Sequence, residues 1–184
     1  QVTPAQAAAA LGRLEMLQKL HAKGVSLVDR KPLKKGWSKI PGWNALDIAT
    51  LANQVKIVQF LLANGAQPNK PAGSGATLPL FYAALFGKKA LYDALIAGGA
   101  DMLITSGGIT VLHLAAATGE VKIVKDILQR ISANTTLDDT KKLAFINAKD
   151  TEGETAWDFA KEIKCSKICT EIEQWLKLRK AERD

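Results

Sequence analysis

The chain has only two cysteines and two histidines in 184 residues. A zinc site would need ligands from distant parts of so poor a set. Cys165 and Cys169 stand four apart on an expected helix, where neighbours on one face are poorly placed to bridge each other. Low cysteine use fits a reducing interior. No apolar run approaches the roughly 18 residues of a membrane span. The alanine-rich start lacks the basic end and cleavable apolar core of a signal peptide. Asn134-Thr135-Thr136 would matter as a sequon only after passage through a glycosylating pathway. Gly73-Ser74-Gly75 lacks the lysine and the strand-to-helix setting of a phosphate loop. No catalytic constellation, cofactor or metal is implied, and the expectation is a chain that is not an enzyme.

Acidic residues are also in deficit, and unevenly. The formal charge is +7, and residues 1–43 carry eight basic side chains against two acidic ones. Six of the seven net charges thus sit in the first third, the part best suited to steer an acidic partner.

What the chain has is a repeated pattern. Thr110-Val111-Leu112-His113-Leu114-Ala115-Ala116-Ala117-Thr118-Gly119 reads as a helix capped by Thr110. It has a small-residue face, and Gly119 can reverse the chain at positive φ. Val121, Val124 and Leu128, with Ile123 and Ile127 beside them, give a second helix an apolar stripe. One such hairpin cannot bury its own face and needs copies beside it. Copies begin at Thr3, Asn44, Leu78 and Thr155. Asn53 and Lys164 take the place of the turn glycine in the second and fifth copies. The Asn53 turn should survive, since Asn tolerates positive φ, while the Lys164 turn costs about 1 kcal/mol.

The pattern resembles the ankyrin repeat, whose signature is T-P-L-H-x-A on a period of about 33 residues. The resemblance implies an all-α solenoid of helix-turn-helix units with short β-hairpin fingers, forming one domain over 1–184. The expected repeats lie near 1–29, 42–69, 76–102, 108–131 and 147–178. Spacings between copies are 41, 34, 32 and 45 residues, which places insertions near 30–41 and 132–146. Insertions of this kind map to loops on one face and often serve binding. In the second insertion, Thr136 with Asp138 and Asp139 reads as a helix start, for a short helix near Leu137–Ala144. The charged run after Ile172 reads as a C-terminal cap. The alanine-rich first helix does not look like one, which suggests a chain cut from a longer protein.

The resemblance further implies protein–protein recognition, with fingers and first helices forming a concave binding face. By pattern position that face holds Trp43, Ile48, Leu51, Tyr82, Leu85 and Phe86, with Ile109, Leu114 and Thr118. Tyr82 and Phe86 could equally pack between neighbouring repeats. The first insertion adds Lys34, Lys35, Trp37 and Lys39. Trp37 and Trp43 either fold back onto repeats one and two or meet a partner. Lysines interleaved with tryptophans also suit phosphates and bases, but no nucleic-acid motif accompanies them. The expected partner is therefore a protein with an acidic patch, and the chain a cytoplasmic monomer.

His113 takes the place of the repeat histidine, which in this family braces the turns. His21 marks a helix C-terminus. Cys165 and Cys169 read as a turn residue and a buried small apolar residue. Asn69 and Asn147 match the finger asparagines that are hydroxylated in some family members. The alternative function is a targeting module of a larger enzyme, or of a bacterial effector delivered into host cells, whose ankyrin proteins this irregular, lysine-rich array resembles.

Overall fold

The computed structural model describes residues 3–28, 43–70 and 78–181. The fold class is all-α: among the described residues there are eleven helices, and the only β pairing is an isolated bridge. Ten helices form pairs, each a short first helix, a three-residue turn and a longer second helix. The pairs are α1 (Pro4–Ala10) with α2 (Leu14–Ala22), α3 (Ala45–Leu51) with α4 (Val55–Ala63), and α5 (Pro79–Leu85) with α6 (Lys89–Ala97). Next come α7 (Val111–Ala117) and α8 (Val121–Ala133), then α9 (Asp139–Ile146) alone, then α10 (Ala156–Glu162) and α11 (Ser166–Ala181).

Capping explains where the first helices begin. Thr3, Asn44, Thr110 and Thr155 each accept a hydrogen bond from the backbone N–H three residues on, and the side chain found there reaches back to the cap. Such reciprocal boxes satisfy two orphan donors, and the cap alone contributes about 1 kcal/mol. Leu78 precedes α5, and its hydrocarbon side chain cannot do the same. At the turns, Asn53 and Lys164 do adopt positive φ, 53° and 59°.

The chain groups into two compact units. The first comprises Gln1–Ala83 and Ala90–Asp101. Its core is Leu17, Leu46, Ile57, Leu61, Leu80, Leu91 and Leu95, and α1 packs on α3, with Ala5, Ala8, Ala9, Ala45 and Ala49 of the two helices all buried. Small side chains on both helices permit that close approach.

The second unit comprises Ala84–Lys89 and Met102–Asp184. Leu112, Ala115, Ile123, Ile127, Ile131, Ala156, Ala160, Ile168 and Ile172 fill its core. Ser106 and Ile109 form the bridge, exchanging both backbone hydrogen bonds at 3.0 Å around Gly107 and Gly108. Both glycines have positive φ, 58° and 78°, as a two-residue hairpin turn requires. Gly108 is constrained twice over, since a Cβ there would collide with the Lys149 carbonyl of the next finger.

The second insertion forms a helix, but its start differs from expectation. The cap is Asp138, which accepts from the Lys141 N–H at 2.8 Å, so the helix begins two residues late and runs to Ile146. Thr136 is occupied elsewhere: its N–H and hydroxyl both donate to Asn134 Oδ1, at 2.9 and 2.7 Å. This local turn competes with helix initiation. The helix packs against α11, which also reaches the end of α8. Trp175 of α11 donates to Ser132 Oγ at 2.7 Å, and Arg179 lies over the Trp175 ring at 5.6 Å and 3.5 Å from Asp139. Lys142, only 7% exposed, lays its stem into this contact and donates to the Ser132 carbonyl at 3.4 Å.

Candidate partner-binding surface

In the first unit, Trp43 and Tyr82 come together. Their ring centroids are 6.1 Å apart at 60°, an edge-on contact, and both side chains are half-buried. Trp43 is held from behind: buried Gln6 donates its Nε2 to the Trp43 carbonyl at 2.6 Å, while its Oε1 accepts from the Thr3 N–H at 2.7 Å. Trp43 thus packs back onto the first and third helix pairs' side chains. Ile48 and Leu51, on α3, are also half-buried. Lys34, Lys35, Trp37 and Lys39 lie outside the described residues.

In the second unit the same brace recurs with a different residue. His113 is fully buried, its Nδ1 accepts from the Thr110 N–H at 3.2 Å, and its Nε2 faces the Glu154 carbonyl at 3.3 Å. That pattern sets the tautomer with the proton on Nε2. Burial lowers the His113 pKa, and the Glu154 and Ala148 backbones and Asp150 oppose this only in part. The imidazole is a neutral brace, with both nitrogens committed.

A row of exposed residues stands just before the turns of this unit. Phe86 is 55% exposed and Leu85 38%, Thr118 is exposed, and Ile163 is 44% exposed. Thr118 Oγ1 lies 3.4 Å from the Ala84 carbonyl and donates to the Leu114 carbonyl at 2.9 Å, and Ile163 stands beside Gly119. Ile163 was missed in the sequence, although it holds the register position of Phe86 and Thr118, one residue before the turn residue. Ile109 is half-buried in the hairpin, away from the turns.

Charge is distributed unequally across this unit. The last finger carries Asp150, Glu152 and Glu154. Partial desolvation raises the Glu154 pKa, and Asp150, Glu162, Glu152 and Asp158 add repulsion. Asp158 is held low by its hydrogen bonds to Thr155, chiefly the hydroxyl at 2.6 Å. The turn edge is basic, with exposed Lys88, Lys122, Lys164 and Lys167.

The two finger asparagines differ. Asn69 donates its Nδ2 to the Gly99 carbonyl at 2.9 Å and accepts from the Asp101 N–H at 2.8 Å. Asn147 is exposed at the C-cap of α9. Cys165 and Cys169 are both free thiols and both half-buried, so Cys169 is less enclosed than expected; burial still raises its pKa. His21, in the last turn of α2, meets Phe60 edge-on at 6.0 Å.

Comparison with known proteins places these features. A family model described as ankyrin repeats in many copies matches residues 5–62, and one described as an ankyrin repeat matches 107–140. Together they cover half of the chain. Among curated proteins, the palmitoyltransferase AKR1 of Lachancea kluyveri is 27% identical over 97 residues, 52% of this chain. The match spans only 13% of that protein's length. With capped helix pairs, turns at positive φ and braced fingers, the chain belongs to the ankyrin-repeat family.

Proposed function

We propose that this chain is a protein-recognition module of five repeats that binds through its first-helix face and the basic insertion at 30–41. Ankyrin repeats are protein–protein interaction modules. The observation that carries the finer reading is Phe86, a phenylalanine left 55% exposed at the end of α5 beside Leu85. Large apolar side chains grouped on an accessible face serve as binding anchors. The excess of basic residues before position 44 favours a partner with an acidic patch, through steering more than affinity.

The reading is tested by a nuclease-treated pull-down from cell extract, comparing the chain with Lys34→Glu/Lys35→Glu/Trp37→Ala and Leu85→Ser/Phe86→Ser variants shown to be folded by circular dichroism. A protein captured by the parent and lost by either variant supports the reading and assigns the site. Equal capture by all three removes both faces from consideration.

A second reading takes the chain as the targeting part of a larger protein, an enzyme or a delivered effector. The match to a small fraction of a palmitoyltransferase favours it. Enzymatic activity present in a longer product and absent from this chain would support it. The chain is proposed to act as a cytoplasmic monomer. Among the described residues no helix is long and apolar enough to cross a membrane.

A further inference from the structure

The row before the turns of the second unit also points to the chemistry of what it binds. Leu85 and Phe86, Thr118 and Ile163 stand at the ends of the first helices α5, α7 and α10 of three successive pairs, and neighbouring helices pack about 8–10 Å apart. The apolar anchors Phe86 and Ile163 are therefore two such intervals apart, about 16–20 Å, with Thr118 between them, and are matched by a segment presenting large apolar side chains at that wider spacing. Beside the row, on the turn side, stand four exposed lysines: Lys88, Lys122, Lys164 and Lys167. The other cations nearby are engaged: Lys89 pairs with Asp126 at 3.8 Å, Lys125 with Glu171 at 2.8 Å, and Lys161 lies over the Trp157 ring at 5.0 Å. Among the described residues none of the four exposed lysines is in an ion pair. Two carboxylates share the edge, exposed Glu162 and half-buried Glu120, whose side chain lies against Gly87.

We infer that this edge binds an acidic protein segment whose large apolar side chains seat on Phe86 and Ile163 while its carboxylates meet Lys88, Lys164 and Lys167. The inference rests on the protein-recognition reading above and narrows it to one subsite and one partner chemistry. Apolar anchors supply the affinity, and the lysine rim supplies orientation and rate. Lys164, exposed in the turn directly after Ile163, stands beside the last anchor. A nucleic acid would use the same lysines but has no use for an aliphatic row lacking a stacking platform beyond Phe86.

The test is selection of phage-displayed random peptides on the full chain, with synthetic copies of the enriched peptides measured by fluorescence anisotropy. Two variants serve as controls: Phe86→Ser/Ile163→Ser, and Lys88→Glu/Lys164→Gly/Lys167→Glu, in which glycine keeps the turn conformation. The expected peptides combine acidic with large apolar residues and lose about tenfold or more in affinity to each variant. Their binding should weaken as salt rises from about 50 to about 300 mM. Neutral or basic peptides, undiminished binding to both variants, no enrichment at all, or tighter binding of oligo(dT) than of any peptide would overturn the inference. Peptides that lose affinity only to a Trp43→Ala/Tyr82→Ala variant would overturn it while leaving the protein-recognition reading intact. Failure of the pull-down as well would end both.

Discussion

His113 Nε2 lies 3.3 Å from the carbonyl oxygen of Glu154, and Gln6 Nε2 lies 2.6 Å from the carbonyl oxygen of Trp43. Two unlike side chains thus do one job. Each accepts from the cap residue of its own helix, and each donates to the residue just before the next cap, 41 and 37 residues on.

It follows that His113→Gln should be nearly neutral, whereas His113→Ala should lose about 1–3 kcal/mol by stranding a buried donor and a buried acceptor. Equal losses in urea titrations of the two variants would refute the equivalence. The pH dependence has a definite sign. Because burial lowers the folded-state pKa of His113, its contribution is fully present above its unfolded value, about 6.5. It is lost as pH falls through the folded-state value, where protonation would set Nδ1–H against the Thr110 N–H. His113→Gln should flatten that part of the stability profile.

Gly108 and Gly153 separate two reasons for glycine. Both have positive φ, 78° and 86°, but a Cβ on Gly153 meets nothing within 4 Å while one on Gly108 strikes the Lys149 carbonyl. Gly153→Ala should cost about 1 kcal/mol, the conformational term alone. Gly108→Ala should cost at least about 1 kcal/mol more. Thermal melts giving the two variants the same midpoint would show that the fingers part without resistance.

Lys164→Gly should raise stability by about 1 kcal/mol, by removing the strain of a side chain at φ 59°. A lower unfolding midpoint would mean that the lysine makes a compensating contact at the turn.

Trp175→Phe keeps most of the buried ring but deletes the hydrogen bond to Ser132, 43 residues earlier. A loss of about 1 kcal/mol is expected, with faster amide exchange in the last turn of α8 than in α7. Unchanged exchange there would show that the Trp175 bond does not hold the end of α8.

Asn147 and Asn69 should differ as substrates for an asparaginyl hydroxylase. Peptide mass spectrometry after exposure to such an enzyme should find one added oxygen on Asn147 and little on Asn69, whose amide is tied to Gly99 and Asp101. Modification of Asn69 alone would reverse the assignment.

Much of the fold was legible because it is local. A helix start needs an oxygen-bearing side chain at one position, so Thr110 could be read directly as a cap. A tight helix-to-helix turn needs one residue at positive φ, so Asn53 and Lys164 could be assigned from their place in the pattern. The second insertion could be read as a helix, but its start depended on which of two neighbouring oxygens won, and Asn134 had already engaged Thr136.

What only the tertiary structure decided involves residues far apart in the chain. Trp43 could have met a partner or folded back, and its contact with Tyr82 depends on how helices 39 residues apart are packed. The insertion at 132–146 could be read as a short helix, but only the fold shows that α11 meets it through Arg179 and Asp139 and reaches the end of α8 through Trp175 and Ser132. Ile163 joins Phe86 and Thr118 only because three turns stack. Periodicity and capping are written in neighbouring residues. Contact, exposure and the sharing of a surface depend on side chains that meet only after the helices have packed, and no local pattern records them.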